Sequence, residues 1–244
     1  MNPPMRAEEA WTTLPAPVNG GAAREAMPIL YGLLRGLTRP LLRSLFRFRV
    51  FGLEKVPPSG PFIIAANHSN YLDGVVLGAA LPRKIAFLVM PRVYQATPLH
   101  PTFHRQLGSI PINIERPDPG AIKRALGVLD AGGVVGIFPE GPFSLDGRLV
   151  KGQPGVALIA LRSGVPVVPA AISGTYQALL ARPLYIPRPT PIRVRFGEPL
   201  LFGRQRPRPV TQKLREEVTR RIMGEIARLL AADGDAPGPP GPRR

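Results

Sequence analysis

Pro61-Phe62-Ile63-Ile64-Ala65-Ala66-Asn67-His68-Ser69-Asn70-Tyr71-Leu72-Asp73 is the stretch on which the reading of the fold turns. Residues 62–66 are a short apolar run between a proline and an asparagine, the pattern of a strand buried on both faces. His68 follows directly, and Asp73 comes five positions later. On one continuous helix, at about 100° per residue, the two side chains would point to different faces. They meet only if His68 lies in the turn leaving the strand and Asp73 in the first turn of the next helix, expected over 72–81. A carboxylate so placed holds one ring nitrogen, sets the tautomer and leaves the other nitrogen as a general base. A capping aspartate beside an unrelated histidine has the same spacing, so these two residues alone leave both readings open.

A second apolar run, Val134-Val135-Gly136-Ile137-Phe138, ends in Pro139-Glu140-Gly141-Pro142-Phe143-Ser144. Glu140 at a strand end suits hydrogen bonding to the hydroxyls of a ligand, and equally a solvated turn. Beside a histidine base the first reading gains weight. A hydroxyl that is deprotonated as it attacks needs a base within reach. In that chemistry His68 is the base and Asp73 its orienting partner. Main-chain N–H groups would serve any oxyanion formed in such an attack.

Outward from these runs the chain alternates between strand and helix patterns. Strands are expected over 49–52, 62–66, 85–89, 109–114, 134–138, 165–172 and 192–196. Helices are expected over 72–81, 121–130, 154–162 and 209–231. The last shows an apolar stripe of Val210, Leu214, Val218, Ile222, Ile226 and Leu230. Such alternation predicts a single α/β domain over 49–232, its mostly parallel central sheet flanked by helices. Residues 182–191, rich in proline, read as loop. Residues 1–25 and 233–244, rich in proline and small residues, read as tails.

Between them, residues 26–48 carry Leu30, Leu33, Leu34, Leu37, Leu41, Leu42, Leu45 and Phe46 at helical spacing. Arg35, Arg39, Arg43 and Arg47 run alongside at four-residue intervals. Pro40 is expected to split the segment into a helical pair, because it removes a backbone donor and crowds the preceding turn. A basic amphipathic pair suits a membrane interface, leucines among acyl chains and arginines on lipid phosphates. Leucines packed on the protein's own core beside solvated arginines give the same pattern.

The 244 residues give one domain's length, and 44% hydrophobic with 20% charged residues is a globular composition. The net charge of +16 is carried almost entirely by arginine, since lysine occurs only at Lys55, Lys84, Lys123, Lys151 and Lys213. That balance calls for an anionic partner: nucleic acid, an anionic membrane surface or a phosphorylated substrate. Nucleic acid would call for basic residues interleaved with aromatics for stacking. Aromatics are only 7%, the single tryptophan is Trp11 in the tail, and the arginines follow the leucines instead. No nucleic-acid partner is therefore expected, although a non-enzymatic basic binding protein is the competing class.

Cysteine is absent, which excludes disulfides, thiolate metal sites and a cysteine nucleophile. The acidic, proline-rich start is not expected to act as a secretory signal, and no run of about 18 apolar residues suggests a membrane span. His100 and His104 are separated by Pro101 and lack a third ligand, so no metal is expected. There is no Gly-x-Ser-x-Gly elbow, phosphate loop or dinucleotide fingerprint, and no cofactor is expected.

Four blocks taken together resemble the lysophosphatidic-acid acyltransferase family of glycerolipid acyltransferases. They are Asn67-His68 with Asp73; Gly108-Ser109-Ile110-Pro111-Ile112; Phe138-Pro139-Glu140-Gly141; and Gly164-Val165-Pro166-Val167-Val168-Pro169. The resemblance runs over about residues 51–199, with the blocks in the family's order. It implies His68 and Asp73 as catalytic residues, and Asn67, Phe138, Pro139, Glu140, Gly141 and Ser144 as acceptor-binding residues. It implies acyl-CoA or acyl carrier protein as co-substrate and a lysophospholipid acceptor, most simply 1-acylglycerol-3-phosphate. It also implies peripheral attachment to the cytoplasmic face of the cell membrane through the N-terminal helices.

Two departures bear on the acceptor. Where the family usually has Thr-Arg-Ser after Glu-Gly, this chain has Pro142-Phe143-Ser144. In the second block Asn113-Ile114 stands where Ile-Asp precedes the family's arginine, and Arg116 comes two residues late. Arg116, Arg148 or Lys151 would then have to supply the charge-assisted donors to a phosphate. A different lysolipid or an amphipathic alcohol is the alternative acceptor.

Overall fold

The 62–66 run is strand β2 (Phe62–Ala66), with every residue buried. The structure, a computed structural model, describes residues 29–90, 104, 107–113, 117–179, 188–205 and 209–234. Helix α1 (Ile29–Phe46) leads into β1 (Arg49–Phe51), and β2 is followed by α2 (Leu72–Ala80) and β3 (Ile85–Val89). Next come β4 (Ile110–Pro111), α3 (Pro119–Asp130), β5 (Val134–Ile137) and α4 (Gly155–Ser163). The chain continues through β6 (Val167–Ser173), the short α5 (Thr175–Ala178), β7 (Arg193–Phe196) and α6 (Gln212–Ala231).

The strands form one sheet in the order β1-β7-β6-β2-β5-β3-β4. All neighbouring pairs are parallel except β6 with β7. β2 lies at the centre, with Ile64 opposite Gly136 of β5 and Val168 of β6. Successive side chains alternate between faces, so one run feeds two cores. Ile63 and Ala65 join α3, α4 and α6 through Leu129, Ile159 and Ile222. Phe62, Ile64 and Ala66 join α1 and α2 through Phe46, Val76 and Leu77.

Local chemistry sets the element ends. α3 starts two residues before the expected 121 because Asp118 caps it, accepting the Ala121 N–H at 2.9 Å, with Pro119 in the first turn. α6 starts later than 209 because Thr211 is its cap, accepting from the Leu214 N–H. The expected strand over 109–114 shrinks to β4, and residue 114 lies outside the described residues.

The expected helical pair is one helix. α1 runs unbroken through Pro40. A proline inside a helix costs about 3 kcal/mol. Here buried anchors on both sides of it, Tyr31 before and Leu42 and Phe46 after, hold the two halves in line on the core. Arg47 follows the helix at φ 46, the left-handed turn that ends it. Asp233, taken above as the first tail residue, is fixed: its side chain bonds Arg195 and Ser173. Residues 1–25 and 235–244 lie outside the described residues.

Candidate active site

β2, β5 and β6 end at the same edge of the sheet, and there the two sequence motifs meet. His68 leaves β2 in the turn and Asp73 enters the first turn of α2. His68 Nδ1 lies 2.9 Å from Asp73 Oδ2. That oxygen also accepts the N–H groups of Ser69 at 2.5 Å and Asn70 at 2.8 Å. An oxygen gathering donors in this way makes Nδ1 the protonated nitrogen of a neutral ring, leaving the Nε2 lone pair for chemistry. Asp73 is fully buried, which confines its charge to the imidazole and the turn. Of the two readings left open above, the paired one is the geometry found.

The turn is locked from behind. Asn67 forms a two-way clip with β6, donating to the Ile172 carbonyl at 2.9 Å and accepting the Ile172 N–H at 2.7 Å. Asn70 donates to the Thr175 carbonyl and accepts from the Leu72 N–H. Glu140 works in the same way: Oε1 accepts the His68 N–H at 2.7 Å and Oε2 the Val150 N–H at 2.8 Å. Its carboxyl is 2% exposed, and burial pushes its pKa up to about 7 against the lowering effect of those two N–H groups. Gly141 next to it has φ 83, a turn that favours glycine. Ser144 donates its N–H to the His68 carbonyl at 2.8 Å, and its hydroxyl to Asp146. Of the residues expected as acceptor ligands, Glu140 and the Ser144 N–H hold the backbone of His68, while the Asn67 side chain holds the turn to β6 and the Ser144 hydroxyl bonds Asp146.

Aromatic rings hold the imidazole itself. Phe138 stacks on His68 at 4.1 Å between centroids and 11° between planes. Phe87 stacks on Phe138, and its ring lies where a side chain at Gly136 would collide, at 2.6 Å from an added Cβ. Phe143 meets His68 edge-on at 5.8 Å and Tyr71 at 5.2 Å. Sequence reading marked Phe138 by its motif, but Phe87 and Tyr71 carried no periodic signal and were missed.

His68, Phe138, Pro139, Gly141 and Phe143 line a cavity of about 1060 Å³. One part passes between α1 and α2, past Tyr31, Leu34, Gly74 and Gly78; another follows α3 and α4, past Ile122, Leu126 and Leu158. Its described lining includes three arginines, Arg35, Arg162 and Arg215. Neither Arg148 nor Lys151 is among the lining residues, and Arg116 lies outside the described residues. His104 lines the cavity and bonds Ser109, and no cluster of metal-ligating side chains occurs among the described residues. His100 lies outside them.

Residues 47–173, more than half of the chain, match the Acyltransferase family model. The chain belongs to the acyltransferase family. It is 32% identical to a 1-acyl-sn-glycerol-3-phosphate acyltransferase of Bacillus subtilis, over 52% of this chain and 62% of that one. A chloroplastic enzyme of the same name from Arabidopsis thaliana is 31% identical over 53% of this chain and 37% of its own length. The chain thus spans less than two thirds of these relatives. The crystal structure of the 1-acyl-sn-glycerophosphate acyltransferase PlsC from Thermotoga maritima has the same fold, with a TM-score of 0.66 at 23% identity. That likeness covers 83% of this chain and 80% of PlsC.

Proposed function

We propose that this chain moves a fatty acyl group from an acyl-CoA or acyl carrier protein thioester to a lysophospholipid hydroxyl. The acceptor in keeping with its relatives is 1-acylglycerol-3-phosphate, which would give phosphatidic acid. The observation that carries the reading is the 2.9 Å contact of His68 Nδ1 with buried Asp73, on a ring that faces a large cavity. Nε2 takes the hydroxyl proton as the oxygen attacks the thioester carbonyl. Asp73 stabilises the imidazolium so formed. Collapse of the tetrahedral intermediate breaks the carbon–sulfur bond, and the thiolate receives the proton back from Nε2. Between them, the two parts of the cavity offer room for the acyl chains.

Entry of a lipid favours a site beside a membrane. α1 lines the cavity with Tyr31, Leu34 and Arg35 while Leu33, Leu37, Leu41 and Leu45 stand 49–64% exposed on another face. An exposed leucine row on the helix that walls the cavity suits docking on the cytoplasmic face of an anionic membrane. No described helix is long and apolar enough to cross a membrane.

A second reading concerns the acceptor. Phe143, packed on His68, puts an aromatic edge where the family usually has arginine, which favours a lysolipid or amphipathic alcohol without a phosphate monoester. Thioester turnover against acceptors with and without that group separates the two, and Arg116→Ala refines the result. Selective loss with the monoester would assign the phosphate to Arg116. Equal turnover of both acceptors, before and after the mutation, would favour the second reading. No turnover with any acceptor would reject acyl transfer itself.

A further inference from the structure

α1 and α2 run antiparallel and share one part of the cavity. α1 starts beside the end of α2, where Tyr31 donates its hydroxyl to the Arg83 carbonyl at 3.4 Å and stands 3.3 Å from a Cβ added at Gly78. It ends at the catalytic edge of the sheet: the Phe46 carbonyl accepts the Ile192 N–H, and β7 then starts with Arg193 opposite Ser173, the end of β6. α2 starts at that edge with Asp73 in its first turn. Tyr31, Arg35 and Thr38 line the cavity from α1, and Tyr71, Gly74 and Gly78 from the α2 side, each row at the spacing of one helix face. One turn on from Tyr31 in α1 is one turn back from Gly78 in α2, so Arg35 comes opposite Gly74, the residue after Asp73. A Cβ added at Gly74 would meet nothing within 4 Å, so the space between them is open. His68 has its ring on the same face of the sheet. It stacks on Phe138, and both Phe138 and Phe87 pack against the core that α1 and α2 build. Arg162 and Arg215 belong to α4 and α6, which pack on the other core.

Arg35 has no counter-charge among the described residues. Its Nε is buried without a hydrogen-bond partner, and it takes part in no ion pair among them. A buried donor in that state calls for an acceptor. α1 carries no acidic residue. Asp118, the one acidic residue in the described lining of the cavity, spends its carboxylate on the Asn113 and Ala121 N–H groups at the start of α3. What surrounds Arg35 on its own helix is more positive charge: burial first, then Arg43 and Arg35, lower the pKa of Arg39.

We propose that Arg35 binds the phosphate of the lysophospholipid acceptor while the acceptor's hydroxyl meets His68. The inference rests on the acyl-transfer reading with a phosphate-bearing acceptor. In a glycerol phosphate acceptor, the phosphate is bonded through oxygen to the carbon next to the one bearing the reacting hydroxyl, so it must sit close to the base. Gly74, opposite Arg35, is less than one helical turn from Tyr71, and Tyr71 and His68 both meet the Phe143 ring. The phosphates of a pantetheine thioester are separated from its carbonyl by the whole arm, too far for a cation this near the base. The buried Nε and the place of Arg35 in the cavity wall select a ligand inside the cavity over the headgroups of a bilayer, which would meet the exposed leucines of α1 instead.

The test measures kcat/KM for two acceptors of one acyl chain, 1-acylglycerol-3-phosphate and 1-acylglycerol, in neutral detergent micelles with one saturating thioester donor. The full chain should favour the phosphate-bearing acceptor by about tenfold or more, as charge-assisted bonds to an anion require. Arg35→Gln should bring that ratio close to one, mainly by raising the KM of the phosphate-bearing acceptor, and Arg35→Lys should restore part of it. Gly74→Asp, which sets a carboxylate opposite Arg35, should lower the ratio as well, whereas neutral Gly74→Asn should keep it. Melting curves check that each variant is folded, and Gly74→Asp gives the same reading should Arg35→Gln not fold. A ratio that survives Arg35→Gln or Gly74→Asp in a folded variant overturns the proposal. Equal loss with both acceptors leaves the ratio unchanged and overturns it too, because it means a structural role. A fall in the ratio seen only when anionic vesicles replace the micelles, in step with lost vesicle binding, assigns Arg35 to the bilayer and overturns it likewise. A wild type without any preference overturns it while leaving acyl transfer in place. Wild type inactive with either acceptor rejects acyl transfer itself, and the proposal with it.

Discussion

At the scale of single residues, His68 is held at three places: Nδ1 by Asp73, the ring face by Phe138, and the backbone N–H by Glu140. His68→Ala should lower turnover by roughly 10²- to 10⁴-fold, the range for loss of a general base, with the circular dichroism spectrum unchanged. Asp73→Asn should be comparably severe, because it removes the charge that supports the imidazolium and sets an amide against the Ser69 and Asn70 N–H groups. Near-wild-type turnover in a folded His68→Ala variant would reject the mechanism. Glu140 makes a pH prediction. Its folded pKa of about 7 stands above the ordinary 4.5, so between those values the folded chain holds a proton that the unfolded chain has released. The resulting stability is complete below about 4.5 and is lost as pH rises through about 7. The melting difference between wild type and Glu140→Gln should therefore move against wild type across that interval and level off above it. A difference independent of pH would contradict the raised value.

At the scale of elements, α1 has three faces. Tyr31, Leu42 and Phe46 are buried, Leu33, Leu37, Leu41 and Leu45 are exposed, and the arginines take the remaining flank. That flank is uneven: Arg35 lines the cavity, Arg35 and Arg39 have a buried Nε, and Arg47 lies past the helix end. Replacing the four exposed leucines by serine should abolish binding to anionic vesicles and leave the melting midpoint nearly unchanged, since none of the four is in the core. Charge reversal at Arg39 and Arg43 should weaken binding most at low salt, where screening is least. Vesicle sedimentation that is unchanged in the leucine variant would leave α1 a core helix only.

For the whole molecule, two features tie distant parts of the chain together. Asn67 joins β2 to β6, and Asp233 joins the end of α6 to β6 and β7 through Ser173 and Arg195. The Asp233 side chain is 1% exposed and that of Arg195 27% exposed. Asp233→Ala should therefore cost about 3 kcal/mol, towards the lower end for a broken buried pair, read as a lower urea midpoint. A change below about 0.5 kcal/mol would class the contact with surface pairs, whose worth is that small.

What the sequence determined by itself was whatever depends on neighbours along the chain. Apolar runs of strand length, the 3.6-residue stripe of α6 and the turn between His68 and Asp73 all obey local rules, and the sheet followed from their alternation. The tertiary structure decided what depends on partners far away in the chain. Pro40 reads as a break, yet buried anchors on either side keep α1 whole. Glu140 reads as a ligand because its motif is polar, but both oxygens are taken by N–H groups of His68 and Val150. Phe87 reaches the His68 ring only through Phe138, over a strand that leaves room for it at Gly136. No spacing in the sequence encodes such meetings, because they are set by packing between elements rather than by the period of any one of them.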